Sequence, residues 1–375
     1  MEKPRRVAIY GGNRIPFCRS VTKYKNLGNK ELLSEALKGL VNRFSLAGQT
    51  IDEVIAGSVV KRCRDFNLTR ESLIEAGLSH RSGAVDIQKA CGTSLEAAAI
   101  LASKISLGFM ESGIAGGSDT SSDVPIELSD SLSQKLVLMT KQRSVLDRVK
   151  SFQGLSLGDL VPKLPGINEP RTKLSMGQHC EKMAQEWNIQ REDQDKLATT
   201  SHLNAAKAFE DGFYNDLISP LLGVDKDNNI RPDANEKALN KLRSCFEKSD
   251  KGTLTAGNSS ALTDGAAAVL LGSEEWGKEK GLEPLAYLTH FQSAAVDFET
   301  KEGLLMAPAY AAPIMLDRAG LSLQDFDFYE IHEAFAAQVL CTLEAWNSDS
   351  FCKDRLGRNT KLGEIDRTKL NVKGG

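Results

Sequence analysis

Cys91 occupies the sequence context best suited to nucleophilic chemistry. The apolar residues before it predict a strand at 84–88, and a Gly-Thr-Ser turn after it leads into an Ala-rich segment, 95–107, that predicts a helix. The unpaired N–H groups and the dipole at the start of a helix favour a thiolate, which is the nucleophilic form of cysteine. A cysteine at such a position is more often a small buried apolar residue, so this context alone leaves both interpretations open.

His332 is a second candidate for chemistry. The residues 328–331 predict a strand whose end delivers His332 and the neighbouring Glu333 into a turn before an Ala-rich helix. A histidine at the end of a strand can polarise a carbonyl group or bind a water molecule, whereas an isolated histidine is usually structural.

A third segment, 252–272, is rich in Gly, Ala, Ser and Thr and ends in a predicted strand at 269–271. Small side chains make a thin wall along which a long, narrow ligand can lie. They also permit close packing of helices. The composition favours neither interpretation over the other.

The motif Gly154-Leu-Ser156-Leu-Gly158 matches the G-x-S-x-G elbow of serine hydrolases, and His332 follows it in the appropriate order. An elbow needs a strand before the serine and a helix after it. Charged residues precede this serine and Pro162 soon follows it, so the context disfavours a hydrolase. The sequence also contains no phosphate-binding glycine loop, and its five histidines lack the spacing of metal ligands.

The elements that must position these residues alternate between strands and helices, which favours an α/β core. A weak repeat aligns 47–54 with 319–326 and would make 285–288 the counterpart of the first strand, which favours two similarly built halves. The predicted strands of the first half are 7–10, 54–60, 84–88 and 112–116, and its predicted helices are 29–44 and 95–107.

Length and composition narrow the class of protein. A chain of 375 residues, 41% hydrophobic and 26% charged, is long enough for two or three globular domains. Its 47 Lys and Arg against 50 Asp and Glu give a net charge of −3, which lacks the overall basic character of a nucleic-acid binder. Seven scattered cysteines without a CxxC pair indicate reduced thiols, and no apolar stretch approaches a membrane span. We therefore expect a soluble, cytoplasmic protein.

The region 121–252 differs from the rest of the chain and is predicted to be an insertion with charge-rich helices such as 191–210. Within it, 131–163 carries six Lys or Arg against two Asp, interleaved with apolar residues. Such a basic amphipathic segment is typical of a membrane-surface or partner-docking element. A helix that covers the core and exposes a solvated basic face is the more common alternative.

Together these segments resemble the thiolase family over nearly the whole chain. Because His332 stands where many thiolases have Asn, the resemblance is to 3-ketoacyl-CoA thiolases of β-oxidation complexes, the trifunctional-enzyme β-subunit type. The matching motifs are Lys89-Ala-Cys91-Gly-Thr-Ser, Gly116-Gly-Ser-Asp119, Ser175-Met176-Gly177, Thr255-Ala-Gly-Asn-Ser-Ser260 and His332-Glu-Ala-Phe.

The resemblance implies an α/β thiolase fold, five-layered αβαβα, made of two similar halves with an inserted loop domain. In this chain the N-terminal half would comprise 1–120 plus 253–280, the loop domain 121–252 and the C-terminal half 281–375. The loop domain would contribute to CoA binding and to oligomer or partner contacts.

The resemblance also implies a function in fatty acid β-oxidation. Cys91 would attack the 3-keto carbon of a 3-ketoacyl-CoA, acetyl-CoA would leave, and free CoA would take the acyl group; the condensing direction, an acetyl-CoA C-acetyltransferase, is the alternative. His332 would stabilise the oxygen on which enolate charge develops. CoA would be a co-substrate, and no permanent cofactor, metal or nucleic acid is expected. The expected CoA contacts are Met176, Ala256, Gly257 and Ser260.

The resemblance also leads to expectations about partners, and this sequence differs from the thiolase pattern in some places. We expect a homodimer or tetramer, and a hydratase/dehydrogenase subunit or a membrane surface as a possible partner of 131–163. Thiolases carry a Gly-His-Pro motif after Asn-Val-x-Gly-Gly and later a Cys-x-Gly, whereas this sequence ends at Asn371-Val-Lys-Gly-Gly375. Ser175 also replaces a histidine that many thiolases have. The expectation is thus an incomplete C-terminal half and a doubtful activity for this chain, with a serine hydrolase and a non-catalytic assembly subunit as distant alternatives.

Overall fold

The central element is a mixed sheet. Among residues 4–300 and 302–375, which a computed structural model describes, the strands form one seven-stranded sheet. In chain order they are β1 (Val7–Arg14), β2 (Cys18–Arg19), β3 (Glu53–Gly57), β4 (Gly83–Ile87), β5 (Ser112–Asp119), β6 (Thr263–Ser273) and β7 (Ala286–Tyr287). Their order across the sheet is β4-β3-β5-β6-β1-β7, with β2 paired to β6. Because β3 is parallel to both β4 and β5, the carboxyl ends of these three strands lie at one edge.

Helices cover both faces of this sheet, as the alternation of strands and helices predicts. Val54 and Ala56 belong to the core on one face, and Ile55 belongs to the core on the other. This follows from the two-residue period of a strand. The helices α1 (Asn29–Arg43) and α2 (Leu68–Glu75) pack on the first face, and α3 (Thr93–Ser106) packs on the second. The strands and helices predicted for the first half are confirmed, with bounds that differ by a few residues.

Residues 121–252 combine helices with long loops and contribute no strand to the sheet in the part of the chain that the structure describes. Helix α4 (Asp130–Lys141) buries Leu132 alone and α5 (Val145–Lys150) buries no residue, so the basic segment 131–163 remains largely exposed. Helices α6 (Met176–Glu186) and α7 (Arg191–Glu210) instead pack against α11 (Ala336–Asn347) of the C-terminal region. The helices of this part are α4 (Asp130–Lys141), α5 (Val145–Lys150), α6 (Met176–Glu186), α7 (Arg191–Glu210) and α8 (Glu236–Leu239).

The serine of the G-x-S-x-G motif does not lie in a nucleophile elbow. Ser156 follows a turn after α5 and precedes a short 3₁₀ helix, Leu157–Leu160, instead of joining a strand to an α-helix. Its hydroxyl donates to Asp159 at 2.7 Å. The local structure therefore agrees with the sequence context that disfavours a hydrolase.

Apart from the short strand β7, the regular elements described among residues 274–375 are helices, joined by long loops. Within the strand predicted at 285–288, Ala286–Tyr287 form β7. This strand pairs with β1 and so belongs to the same seven-stranded sheet. The segment 328–331, predicted as a strand, is not a strand in the structure; Tyr329 alone makes a parallel bridge, to Leu370. None of the described helices is long and apolar enough to cross a membrane. The helices here are α9 (Glu274–Glu279), α10 (Ala307–Ala319), α11 (Ala336–Asn347) and α12 (Asp349–Asp354).

Candidate active site

Cys91 lies in a strained turn between β4 and α3. It is exposed, and α3 begins two residues later at Thr93. Ala90 adopts a left-handed φ of 45°, which costs an L-residue about 1–2 kcal/mol. The Thr93 hydroxyl holds this conformation, since it accepts from the Lys89 N–H at 2.8 Å and donates to the Ala90 carbonyl at 2.7 Å. The turn therefore presents the thiol at the start of a helix, as the sequence predicts.

A cavity of about 220 Å³ surrounds Cys91. Its walls come from the ends of β3, β5 and β6, including Gly57 and Gly117. A Cβ atom at Gly57 would lie 1.9 Å from the Ile87 carbonyl oxygen, and one at Gly117 would lie 2.8 Å from the Gly57 carbonyl oxygen. Glycine at these positions lets the strand ends approach each other behind the nucleophile.

Asp119 is a titratable group in the same cavity to which the sequence interpretation assigned no role. Its carboxylate accepts hydrogen bonds from the backbone N–H groups of Val59 and Val60, at 2.8 and 3.4 Å. Burial outweighs these bonds and raises the pKa of Asp119 to about 6. Its signal in the sequence is its place as the last residue of the Gly116-Gly-Ser-Asp119 motif, and that motif indicates no role for the carboxylate.

A second cavity, of about 330 Å³, is lined by three of the four predicted CoA contacts: Ala256, Gly257 and Ser260. Two arginines and a histidine also line it, and the sequence interpretation missed them because they come from distant segments of the chain. They are Arg19, His202 and Arg231.

The small-residue segment in this second cavity is held rigidly by carboxylates of α6 and α7. Glu181 accepts from the Thr253 and Leu254 N–H groups at 2.8 and 2.9 Å. Asp195 accepts from the Asn258 side-chain amide at 2.9 Å. The segment also packs closely on other side chains, because a Cβ at Gly257 would lie 2.6 Å from Leu242. Both roles left open by the composition, cavity wall and close packing, are therefore present.

His332 is tied to the same segment through the backbone. The Ser260 N–H donates to the Ala334 carbonyl at 2.9 Å, and the Ala336 N–H donates to the Asn258 carbonyl at 3.0 Å. Although His332 is exposed, the protein around its ring disfavours the charged form and lowers its pKa. The imidazole is therefore neutral at pH 7, with one nitrogen as donor and the other as acceptor.

Asn371 supports the His332 loop from the other side. Its amide donates to Glu333 at 2.5 Å and to the Ile331 carbonyl at 2.8 Å, and its oxygen accepts from the Ile331 N–H at 2.8 Å. Glu333 also lines the second cavity, and burial raises its pKa. The residues on both sides of His332 are thus fixed by hydrogen bonds.

The two cavities adjoin along the pairing of β2 with β6. Phe17 lines the Cys91 cavity and Arg19 lines the second, and Arg19 pairs with Thr263, which again lines the Cys91 cavity. His332 and Met176 line neither of these two cavities. Met176 begins α6 beside Gly177, whose Cβ would lie 2.2 Å from the ring of Phe246 in the wall of the second cavity. The predicted residues are therefore gathered in one region, but not all face the same cavity.

Family models match almost all of the chain. The N-terminal domain of thiolase matches residues 7–275, and the C-terminal domain of thiolase matches residues 282–375. The 3-ketoacyl-CoA thiolases of Yersinia enterocolitica and Photorhabdus laumondii are both 41% identical over 99% of this chain and 86% of their own length.

Solved structures confirm the predicted fold class. Acetyl-CoA acetyltransferase of Bacillus anthracis superposes with a TM-score of 0.81 at 30% identity, covering 100% of this chain and 87% of that one. Human mitochondrial 3-ketoacyl-CoA thiolase gives a TM-score of 0.80 at 26% identity, with 99% and 86% of the two chains covered. The chain belongs to the thiolase family.

Proposed function

We propose that the protein is an acetyl-CoA C-acyltransferase that cleaves 3-ketoacyl-CoA with CoA, and that Cys91 is its nucleophile. The observation that carries this proposal is the exposed thiol of Cys91 in a strained turn at the start of α3, facing a cavity that adjoins the small-residue segment. The relatives named 3-ketoacyl-CoA thiolase support the substrate class.

In the first half-reaction the Cys91 sulfur, as the thiolate, attacks the 3-keto carbon and forms a C–S bond. The bond between carbons 2 and 3 breaks, and its electron pair passes to the enolate of acetyl-CoA, which then takes up a proton. The shortened acyl chain remains on Cys91 as a thioester.

His332 has the properties needed to stabilise the enolate oxygen. Because its pKa is lowered, the ring is neutral at pH 7 and offers an N–H donor, directly or through a bound water, without first losing a proton. The bonds of Ser260 and Asn371 to the neighbouring backbone fix the position from which it acts.

In the second half-reaction the thiol of CoA loses its proton, its sulfur attacks the acyl thioester, and Cys91 leaves as a thiolate. We place the pantetheine of CoA along Ala256, Gly257 and Ser260, with Met176 at the start of α6 as a further contact. Arg19 and Arg231 in the same cavity supply positive charge for the phosphates.

The proton transfers need further groups. The resemblance to thiolases assigns them to a Gly-His-Pro and a Cys-x-Gly motif, and the 375 residues contain neither. We propose that these 375 residues supply the nucleophile, the enolate-binding group and the CoA site.

The exposed segment 131–163 is our proposed docking surface, for a hydratase/dehydrogenase subunit or a membrane surface. Its apolar side chains are far more exposed than those of the core, for example Val145 at 75% and Leu157 at 85%, and they lie among basic residues. Flotation with phosphatidylglycerol vesicles but not with phosphatidylcholine vesicles would identify the membrane. Co-sedimentation with the subunit would identify the protein partner. The variant Leu146→Glu should weaken either interaction.

We further propose a cytoplasmic homo-oligomer with the domain division 1–120 plus 253–280, 121–252 and 281–375. Strand β4 lies at the edge of the sheet, and Phe66 and Leu95 near it are 92% and 66% exposed. An unpaired edge beside exposed apolar side chains favours association with a second copy. Sedimentation equilibrium with Phe66→Asp as the matched variant tests this association.

A thiolysis assay tests the main proposal. The protein should release acetyl-CoA from 3-ketoacyl-CoA and free CoA, and Cys91→Ser should not. Condensation of acetyl-CoA without any thiolysis would favour the acetyltransferase alternative, and the absence of both reactions would contradict the proposal.

A further inference from the structure

Asp119 connects the ends of three neighbouring strands. It is the last residue of β5, and its carboxylate accepts from Val59 and Val60 in the loop that follows β3. The same side chain lines the Cys91 cavity. It therefore belongs both to the wall of the cavity and to the framework behind it.

The loop held by Asp119 in turn holds the nucleophile turn. The Val59 carbonyl accepts from the Gln88 side-chain amide at 2.6 Å, and Gln88 is three residues before Cys91. The Val60 carbonyl accepts from Asn29 at the start of α1, also at 2.6 Å. A continuous set of hydrogen bonds thus runs from β5 through the β3 loop to the end of β4.

We infer that Asp119 is a positioning residue for the nucleophile, fixing the Cys91 turn through Val59 and Gln88. The inference rests on the proposed function, in which Cys91 is the nucleophile. The hydrogen bonds that hold the turn do not depend on which reaction Cys91 performs. The strained φ of Ala90 makes such support necessary, because a left-handed alanine persists only when its surroundings hold it in place. The raised pKa of Asp119 is consistent with this role, since the fold retains an ionisable group in a partly buried position that disfavours its charge.

Asp52 provides a matched control at the opposite end of β5. Its carboxylate accepts from the Glu111 and Ser112 N–H groups at 2.8 and 3.0 Å. It therefore makes comparable backbone bonds, but it precedes β3 and lies at the amino ends of the strands. A loss of stability alone should be similar in Asp52→Ala and Asp119→Ala.

The test compares Asp119→Ala, Asp119→Asn and Asp52→Ala by hydrogen–deuterium exchange of the peptide spanning 86–95, and by kcat and KM for thiolysis. We expect faster exchange of this peptide and a kcat lowered on the order of ten- to a hundredfold, with little change in KM, in Asp119→Ala alone. Asp119→Asn keeps an acceptor oxygen and should restore both values. Should Asp119→Ala fail to fold, Gln88→Ala removes the last bond of the set from an exposed side chain and should also speed exchange.

Unchanged exchange in Asp119→Ala and Gln88→Ala would overturn the inference, as would equal losses of kcat in Asp119→Ala and Asp52→Ala. If Asp119→Ala exchanges faster than wild type but the wild-type protein shows no thiolysis, the positioning role stands and the proposed function is contradicted instead.

Discussion

The Cys91 cavity and the packed interface between α6 and α11 both hold cysteine thiols, but in opposite environments. Cys180 on α6 and Cys341 on α11 are fully buried within one apolar cluster. Burial raises the pKa of both thiols, to about 12 for Cys341, and the neighbouring Cys341 raises that of Cys180 further. Cys91 is exposed at the start of α3. The same side chain is a packing group in one region and a candidate nucleophile in the other.

The difference teaches that position relative to a helix, more than residue type, predicts the role of a cysteine. Cys180 and Cys341 lie inside helices, where neighbours such as Met183 and Leu340 share their apolar cluster. Cys91 follows a strand and precedes the first turn of a helix, where backbone N–H groups are unpaired. The two regions should therefore respond in opposite ways to substitution.

The largest expected effect is that of Cys91→Ser. Thiolysis should fall by several orders of magnitude, because a neutral hydroxyl is a far poorer nucleophile than a thiolate. The substitution is nearly isosteric and the side chain is exposed, so the Tm by circular dichroism should not change. Retained turnover would show that the comparison assigns the wrong cysteine.

The second-largest loss of activity is expected from substitutions of His332. Replacing it by Ala removes the donor for the enolate oxygen and should lower kcat on the order of a hundredfold. His332→Asn keeps a donor and should lose less than about tenfold. Equal kcat values for the two variants in steady-state thiolysis would contradict a role as hydrogen-bond donor.

The titration of Asp119 in the Cys91 cavity should make the free energy of unfolding depend on pH. Its pKa is about 6 in the folded protein against an ordinary value of 3.8, so between these values the folded state holds a proton that the unfolded state has lost. The free energy of unfolding should therefore fall as pH rises from about 4 to 6, by about 2–3 kcal/mol, and this contribution should then level off. Urea unfolding of wild type and Asp119→Asn at each pH isolates the contribution, because other groups titrate in both. A difference between them that does not vary with pH would contradict the prediction.

The smallest effect is expected in the α6–α11 interface. Cys341→Ala removes a buried sulfur from a packed core and should lower the free energy of unfolding by about 1 kcal/mol. Thiolysis should remain at the wild-type rate. A large loss of activity at unchanged stability would break the distinction between the two regions.

The sequence predicts what depends on local pattern. Two helices and four strands lie within a few residues of their predicted places: α1, α3, β1, β3, β4 and β5. Each buries a face that is defined by the spacing of its own apolar residues. The position of Cys91 before α3 follows from the same pattern.

What the sequence could not predict depends on contacts between distant segments. Arg19 and Arg231 share a cavity only because β2 and the segment after α7 meet there. Asp119 reaches Val59 because β5 and β3 are adjacent, and no spacing in the sequence encodes that pairing. The residues 285–288 carry the pattern of a first strand, yet they pair with β1 instead of beginning a second sheet among the described residues.

The most direct test of the account is to identify the residue that becomes acylated. The protein is mixed with 3-ketoacyl-CoA without free CoA, quenched in acid and digested, and the peptides are analysed by mass spectrometry. We predict the mass of the shortened acyl group on Cys91, its disappearance on addition of CoA, and protection of Cys91 from iodoacetamide while it is present. An acyl group on Ser156 or on another cysteine, or thiolysis that proceeds with Cys91 unmodified, would contradict the account.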